Sequence, residues 1–151
     1  MDIGSGKGYP SSALSNFHPH PFWFDGILCN SMEGLLQAFK FENPDIQRTV
    51  CQLVGLKAKY RGKKRNKAWK RVQTLWWKGI SFKRDSQEYQ DLLDRAFDAL
   101  AENIKFQKAL LATGDVKLTH KIGSHDISHT VLTKREFCAR LTKIRERLKK
   151  I

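Results

Sequence analysis

The sequence predicts a helix-rich α+β fold in a single domain, and three observations lead to that prediction. Apolar residues recur at helical spacing along most of the chain. One short stretch near the N-terminus, residues 22–29, has the pattern of a β-hairpin instead. The chain has 151 residues, 40% of them hydrophobic and 11% aromatic, which is enough to bury one core without disulfides. We divide it into an irregular leader, residues 1–12, and a domain, residues 13–151.

The leader is rich in glycine and serine. Its Gly4–Gly8 stretch resembles a phosphate loop only superficially, because the Gly-Lys-Ser/Thr ending and a preceding strand are both missing. We therefore expect a mobile segment. After it, residues 22–24 and 27–29 flank Asp25-Gly26, a sequence that favours a tight hairpin turn.

A helix is predicted from residue 30 to about residue 41, capped by Asn30 or Ser31 and ended before Pro44. With Asn30 as the N-cap, Glu33 takes the third helical position. A glutamate there closes a capping box, so a purely structural role is one interpretation of this residue.

A polar row inside this helix favours a second interpretation. Glu33, Gln37 and Lys40 stand at i, i+4 and i+7 and share one face, while Leu36 and Phe39 point elsewhere. The row combines a possible general acid or base with a possible amine nucleophile or phosphate-binding cation. The alternative is a solvated helix face.

Further helices are predicted over residues 45–58, over residues 86–100 and around residues 106–111, the last ended by Gly114. Residues 133–136, Thr-Lys-Arg-Glu, form a capping-box sequence that begins a C-terminal helix. Between these helices lie a polar irregular loop, residues 118–126, and an apolar group expected to face the core: Val72, Leu75, Trp76, Ile80 and Phe82.

The charge is strongly positive, with 28 Lys and Arg against 15 Asp and Glu, a formal net charge of +13. Residues 57–71 contain nine of these cations, no acid, and the aromatic residues Tyr60 and Trp69. This basic run suits a phosphate backbone with stacked bases, and its alternative is a solvated charged surface. The residues expected to contact nucleic acid are Lys57, Lys59, Arg61, Lys63, Lys64, Arg65 and Lys67.

Several classes of protein are disfavoured. No apolar run approaches the ~20 residues of a membrane span, and residues 1–6 lack the apolar core of a signal peptide. Cys29, Cys51 and Cys138 are expected to be free thiols among apolar residues, which favours a cytoplasmic protein. The histidine pairs lack further ligands at metal-site spacing, so we expect no metal. We also expect no cofactor and a monomer.

An ordered set of motifs then identifies a resemblance. Residues 14–17 (Leu-Ser-Asn-Phe), Pro21-Phe22, Asp25-Gly26, residues 31–33 (Ser-Met-Glu) and residues 37–41 (Gln-Ala-Phe-Lys-Phe) resemble the NADAR family of NAD- and ADP-ribose-associated proteins. Residues 109–114 and the loop to residue 133 continue the likeness over nearly the whole chain.

The resemblance implies an N-glycosidase fold that cleaves bonds between ribose C1 and nitrogen. One family branch acts on phosphorylated riboflavin-pathway intermediates, and another removes ADP-ribose from guanine in nucleic acid. The family's motif glutamate corresponds to Glu33 and its lysine to Lys40, and its loop aspartate corresponds less closely to Asp126. For such a reaction, the residues we expect to bind substrate are Asn16, Phe17, Ser31, Gln37, Trp69 and His120.

Two departures and the charge bear on the choice of branch. The strand that often precedes the Ser-Asn-Phe motif is missing or very short, and residues 127–132 replace the aromatic-Gly pair of flavin-pathway members. A small flavin precursor does not need a net charge of +13. We therefore expect an enzyme that removes ADP-ribose from guanine in DNA, with RNA left open. The alternatives are an N-glycosidase that acts on phosphorylated riboflavin-pathway intermediates and a non-catalytic ADP-ribose-binding module.

Overall fold

Eight α-helices and four short β-strands make up the fold, as described by a computed structural model of residues 1–151. In chain order they are α1 (Ser11–Leu14), β1 (Phe22–Phe24), β2 (Ile27–Cys29), α2 (Met32–Ala38), α3 (Pro44–Val50), α4 (Gly55–Lys63), α5 (Asn66–Val72), β3 (Thr74–Trp77), β4 (Ile80–Lys83), α6 (Gln87–Leu100), α7 (Ile104–Leu111) and α8 (Lys134–Lys149). The helix-rich α+β prediction is confirmed. No helix has both the length and the apolar character needed to cross a bilayer.

The first hairpin forms where the sequence predicted it. Strands β1 and β2 are antiparallel, and Phe24 pairs with Ile27 across the turn. Asp25 and Gly26 have φ of 48° and 79°, the left-handed conformation that this two-residue turn requires.

Helix α2 is shorter than predicted. Ser31 is its N-cap, because the Ser31 hydroxyl accepts a hydrogen bond of 3.1 Å from the Gly34 amide. Glu33 therefore occupies the second helical position, and its carboxylate closes no capping box. The helix ends at Ala38, and a tighter turn follows in which the Lys40 amide donates to the Gln37 carbonyl at 3.1 Å.

The single helix predicted over residues 45–58 is wrong, because residues 51–54 separate α3 from α4. Side chains far earlier in the chain bind the carbonyls of this break. The Asn30 side-chain amide donates to the Gln52 carbonyl and the Ser31 hydroxyl to the Leu53 carbonyl, each at 2.9 Å. Gly55 then begins α4 with a φ of +56°.

A second hairpin, β3–β4, was not predicted. Its turn consists of Lys78 and Gly79, with φ of 49° and 84°. Two residues expected in the core are instead exposed: Val72, the last residue of α5, and Ile80, the first residue of β4. The expected core position of Leu75 is correct, while Trp76 and Phe82 pack partly against the core.

The later helices agree with the predictions. Ser86 caps α6, and the helix buries one apolar side that consists of Tyr89, Leu92, Leu93, Ala96, Phe97 and Leu100. Thr133 and Glu136 form the predicted capping box of α8. Cys29 and Cys51 are buried, Cys138 is partly buried, and all three are free. The main core surrounds Phe39, Trp69, Tyr89, Phe97, Phe106 and Phe137.

The leader has no helix or strand before Ser11, but it is packed rather than loose. Ile3 is fully buried, and its amide donates to the Thr119 carbonyl at 2.8 Å. The Gly4 amide donates to the Ser11 hydroxyl at 3.2 Å. These contacts hold the following glycine-rich turn beside the cavity described next.

Candidate active site

A cavity of about 610 Å³ lies between α2, the basic helices α4 and α5, and two irregular segments. Its size falls in the range usual for pockets that bind small molecules. Polar and aromatic side chains from all of these elements line it: Asn16, Phe17, Glu33, Gln37, Lys40, Lys59, Tyr60, Lys63, Asn66, Trp69, His120 and His129. Ser5 of the leader also lines it.

Glu33 is the only carboxylate that lines the cavity. Its amide donates to the Asn16 carbonyl at 3.0 Å, which ties α2 to the Ser-Asn-Phe segment. Its Oε2 accepts a hydrogen bond of 2.7 Å from Gln37 Nε2. Burial raises the pKa of the Glu33 carboxyl above its usual value, against the lowering effects of Gln37, Lys40, Lys59 and His120.

Lys40 lies just beyond the C-terminal end of α2 and is only 6% exposed. Its Nζ donates to Asn66 Oδ1 at 2.7 Å, and the same oxygen accepts from Trp69 Nε1 at 3.3 Å. Burial lowers the pKa of Lys40 to about 8, although the nearby Glu33 carboxylate opposes this shift. The amine is therefore fixed in position and much easier to deprotonate than an exposed lysine.

The two shifts have a chemical consequence. A carboxyl with a raised pKa can hold a proton near neutral pH, and an amine with a lowered pKa can lose one. Glu33 and Lys40 influence each other electrostatically and line the same cavity. The pair can therefore supply both an acid and a nucleophile to one ligand.

Two glycines allow the close packing that brings these helices together. A β-carbon on Gly34 would lie 2.6 Å from the Leu53 carbonyl oxygen, and one on Gly62 would lie 1.7 Å from Gln37 Oε1. Both distances are below any normal contact. Glycine at position 34 therefore lets α2 approach the backbone that connects α3 to α4, and glycine at position 62 lets α4 approach α2. Gln37 Oε1 is buried and has no hydrogen-bond partner.

Five of the six residues expected to bind substrate line the cavity: Asn16, Phe17, Gln37, Trp69 and His120. Ser31 does not, because its hydroxyl caps α2 and donates to the Leu53 carbonyl. Trp69 has no exposed surface, so it forms part of the wall rather than an open stacking platform. His120 is held by a 2.8 Å contact between Nδ1 and the Ile3 carbonyl.

Asp126 does not line the cavity. Its Oδ1 accepts hydrogen bonds from the Ser128 amide at 2.9 Å and the Ser128 hydroxyl at 2.7 Å, and these lower the pKa of the Asp126 carboxyl. Its Oδ2 lies 3.5 Å from Nε2 of His129, which does line the cavity. Asp126 therefore reaches the cavity only through an exposed histidine.

The basic run is divided between surface and cavity. Lys59 and Lys63 line the cavity, whereas Lys57 on α4, Lys64 just after it and Lys67 on α5 are exposed outside the cavity. Two of the expected nucleic-acid contacts have a structural role, because Arg61 and Arg65 lie 4.5 and 5.8 Å from the centre of the Phe41 ring. None of the nine cations in residues 57–71 forms an ion pair within 4.0 Å.

Three side chains outside the cavity position its loop wall. Gln73 Nε2, Arg84 Nε and the Tyr89 hydroxyl donate to the carbonyls of residues 128, 130 and 131, at 2.9, 2.7 and 2.6 Å. Arg84 is buried and pairs with Glu136 of α8 at 2.6 Å. The wall is therefore anchored to the core.

Sequence reasoning missed Asn66, Ser5 and His129 as cavity residues. Asn66 is 26 residues from Lys40, and no spacing rule connects the two. Ser5 and His129 were noted only within motifs that suggested a phosphate loop and a metal. No group of three or more His, Cys, Asp or Glu side chains lies close enough together to hold a metal ion.

Comparison with known proteins gives three matches. Residues 8–146 match the model of the family described as bacteriophage protein GP30.3. An uncharacterised 17.1 kDa protein from the Gp30–rIII intergenic region of enterobacteria phage T4 is 38% identical over 150 residues, which cover 98% of each chain. The NMR structure of the E. coli protein YbiA, a NADAR-family protein, has a TM-score of 0.65 at 20% identity and covers 99% of this chain and 84% of YbiA. The chain therefore has a YbiA-like fold, which supports the NADAR fold implied by the sequence.

Proposed function

Because the chain belongs to the bacteriophage protein GP30.3 family and has a YbiA-like fold, we propose that it is an N-glycosidase that hydrolyses the bond between ADP-ribose and guanine bases in DNA. The observation that carries the proposal is the Glu33–Lys40 pair in one cavity, with pKa values shifted in opposite directions. The acid-free helices α4 and α5 beside it favour a polyanionic substrate over a small neutral one.

The chemistry begins with the ribose ring. A nitrogen lone pair of guanine expels the ring oxygen from C1, leaving a C1=N iminium, and the oxygen takes a proton. Glu33 in its protonated form is the group in the cavity suited to donate that proton, because burial raises the pKa of its carboxyl.

Lys40 then acts at the same carbon. Its neutral Nζ adds to C1, one proton passes from Nζ to the guanine nitrogen through Glu33, and the C1–N(guanine) bond breaks. The product is unmodified guanine and a Schiff base between Lys40 and the open ribose. Water hydrolyses this Schiff base, which releases ADP-ribose and restores the amine. The sum is one water consumed for each bond broken.

The remaining cavity residues position the substrate. Gln37 holds the Glu33 carboxyl through its 2.7 Å hydrogen bond, and Asn66 aims the Lys40 amine. Asn16 and His120 offer polar groups to the ribose and the departing base. Holding the reacting groups in the correct orientation accounts for much of the rate enhancement in a mechanism of this kind.

The proposal is tested with an oligonucleotide that carries one ADP-ribosylated guanine. We expect the wild-type protein to release ADP-ribose and leave intact DNA, and the Glu33→Ala variant to release little. Undiminished release by Glu33→Ala, or no release by the wild type, would contradict the proposal. Reduction with borohydride during turnover should leave a covalent adduct on Lys40, and its absence under verified turnover would argue against the Schiff base.

The same assay separates the alternatives. A binding module would show saturable ADP-ribose binding without product. A riboflavin-intermediate N-glycosidase would release ribose 5-phosphate from a phosphorylated pathway intermediate, with little dependence on salt. An RNA-directed enzyme would prefer the ribonucleotide version of the oligonucleotide.

A further inference from the structure

The cavity contains more positive charge than the reaction at C1 uses. Five side chains that can be cationic line it: Lys40, Lys59, Lys63, His120 and His129. Three of them already have partners within the protein. Lys40 donates to Asn66, His120 lies against the Ile3 carbonyl, and His129 lies against Asp126.

Lys59 and Lys63 are the two that remain. Neither makes a side-chain hydrogen bond or an ion pair, and both are exposed where they line the cavity. They stand four residues apart on α4, so their β-carbons lie one helical turn, about 5–6 Å, from each other. The charge of Lys59 acts on both Glu33 and Lys40, which places it beside the reacting groups.

Two cations at this spacing match a ligand with two adjacent phosphates. Side chains that carry no internal partner keep their hydrogen-bonding capacity for a ligand, and an ammonium–phosphate hydrogen bond is among the stronger ones. The single carboxylate of the cavity, Glu33, accepts a hydrogen bond from Gln37 and forms no ion pair within 4.0 Å with either lysine.

We propose that Lys59 and Lys63 form the subsite for the diphosphate of ADP-ribose, and that the basic run is therefore divided by function. These two inner lysines bind phosphates of the substrate's own ADP-ribose, and the outward lysines Lys57, Lys64 and Lys67 bind phosphates of the nucleic acid. The inference rests on the proposed function, because the ligand is the ADP-ribose of that reaction.

The division also assigns Lys40 one role. A lysine that is 6% exposed and fixed on Asn66 is poorly placed to follow a flexible diphosphate. With the diphosphate held on α4, Lys40 is free to react at C1.

The test measures ADP-ribose binding directly by calorimetry with the full-length protein. We compare wild type with an inner variant, Lys59→Gln/Lys63→Gln, and a charge-matched control on α7, Lys105→Gln/Lys108→Gln. We expect the inner variant to bind ADP-ribose at least ~10-fold more weakly, since each lost charged hydrogen bond weakens binding severalfold, and the control to bind within about twofold of wild type. Adenosine, which has no phosphate, should bind the inner variant and wild type equally.

A third variant, Lys57→Gln/Lys64→Gln, tests the other half of the division. For single-stranded DNA, the slope of log K against log salt concentration should become shallower by about 1.4. Each of the two lost phosphate contacts releases about 0.7 counterions. Its affinity for ADP-ribose should change by less than about twofold.

The outcomes separate this inference from the proposed function. Tight ADP-ribose binding that depends on Lys59 and Lys63, without turnover of any substrate, would support the subsite and contradict the glycosidase. Turnover combined with unchanged ADP-ribose binding by the inner variant would overturn the subsite alone. Equal losses in the inner variant and the α7 control, or no ADP-ribose binding by wild type, would also overturn it.

Discussion

Gly62 of α4 lies so close to Gln37 of α2 that a β-carbon on Gly62 would stand 1.7 Å from Gln37 Oε1 and 2.9 Å from its β-carbon. The contact joins the helix that carries Glu33 to the helix that carries the inner lysines. Glycine is therefore required there by the packing of two helices rather than by backbone conformation.

Gly62→Ala should destabilise the fold and displace Gln37 from Glu33. Forcing a methyl group into a filled contact typically costs about 1–3 kcal/mol, and activity should fall as well because the Glu33 carboxyl loses its donor. Gly6→Ala is the matched control, since nothing lies within 4 Å of a β-carbon at that position. Urea unfolding should separate the two variants, and equal stability would contradict the packing argument.

The helices and strands that begin at an N-cap or turn residue close in sequence could be predicted. Ser86 and Thr133 cap α6 and α8 with their own side chains, and the Asp25-Gly26 turn sets the first hairpin. The break between α3 and α4 was not predictable. At that break the carbonyls of Gln52 and Leu53 accept hydrogen bonds from the side chains of Asn30 and Ser31, which lie more than twenty residues earlier in the chain.

The same distinction holds for the site. Glu33 and Gln37 share a face because they lie one turn apart in a helix, which spacing alone reveals. Lys40 lies past the end of α2, and what fixes it is Asn66 on α5. Such long-range partners, like the cavity position of Ser5, follow from tertiary packing and leave no local pattern.

Glu33→Gln should slow turnover severely while it preserves the fold. The amide has the same shape but cannot donate or accept the proton, and loss of a general acid or base typically costs about 10²–10⁴ in rate. Glu42→Gln, a change at an exposed position just beyond Lys40, is the control and should keep wild-type activity. Activity of Glu33→Gln within about threefold of wild type would remove Glu33 from the mechanism.

The value of kcat/KM should fall at high pH in wild type but rise with pH in Glu33→Gln. In wild type the active pair shares one proton, so activity should reach a plateau and then fall above about pH 8, where Lys40 loses its proton and the pair has none left. In Glu33→Gln the residual activity depends on neutral Lys40 alone and should rise with pH. Its midpoint should lie lower than in wild type, because Glu33 raises the pKa of Lys40. Parallel profiles would contradict proton sharing.

Lys40→Met should inactivate the protein but stabilise it at pH 7. The pKa of Lys40 drops from 10.5 in the unfolded chain to about 8 in the fold, so the charged amine costs the folded state up to ~3 kcal/mol at neutral pH. The lost hydrogen bond to Asn66 offsets about 1 kcal/mol of the gain.

The sign of this effect depends on pH in a defined way. Between pH 8 and 10.5 the unfolded chain holds more protons, so the stability of wild type should rise with pH and the advantage of Lys40→Met should shrink. Lys67→Met, at an exposed position, is the control and should show no such trend. A Lys40→Met variant less stable than wild type in urea at pH 7 would contradict the desolvation argument.

Asp126→Asn should lose far less activity than Glu33→Gln, although the family resemblance places an aspartate of this loop in the catalytic group. Asp126 contributes to the cavity only through His129, and both side chains of that 3.5 Å pair are largely exposed, at 45% and 68%. Exposed ion pairs contribute about 0–1 kcal/mol, which corresponds to at most about a fivefold change in rate. The amide also keeps an oxygen that can accept from the Ser128 amide and hydroxyl, so the loop should retain its shape.

ADP-ribose release by both variants on the same oligonucleotide measures the difference, and a loss of ~100-fold or more in Asp126→Asn would show that the loop rearranges to bring Asp126 to the substrate.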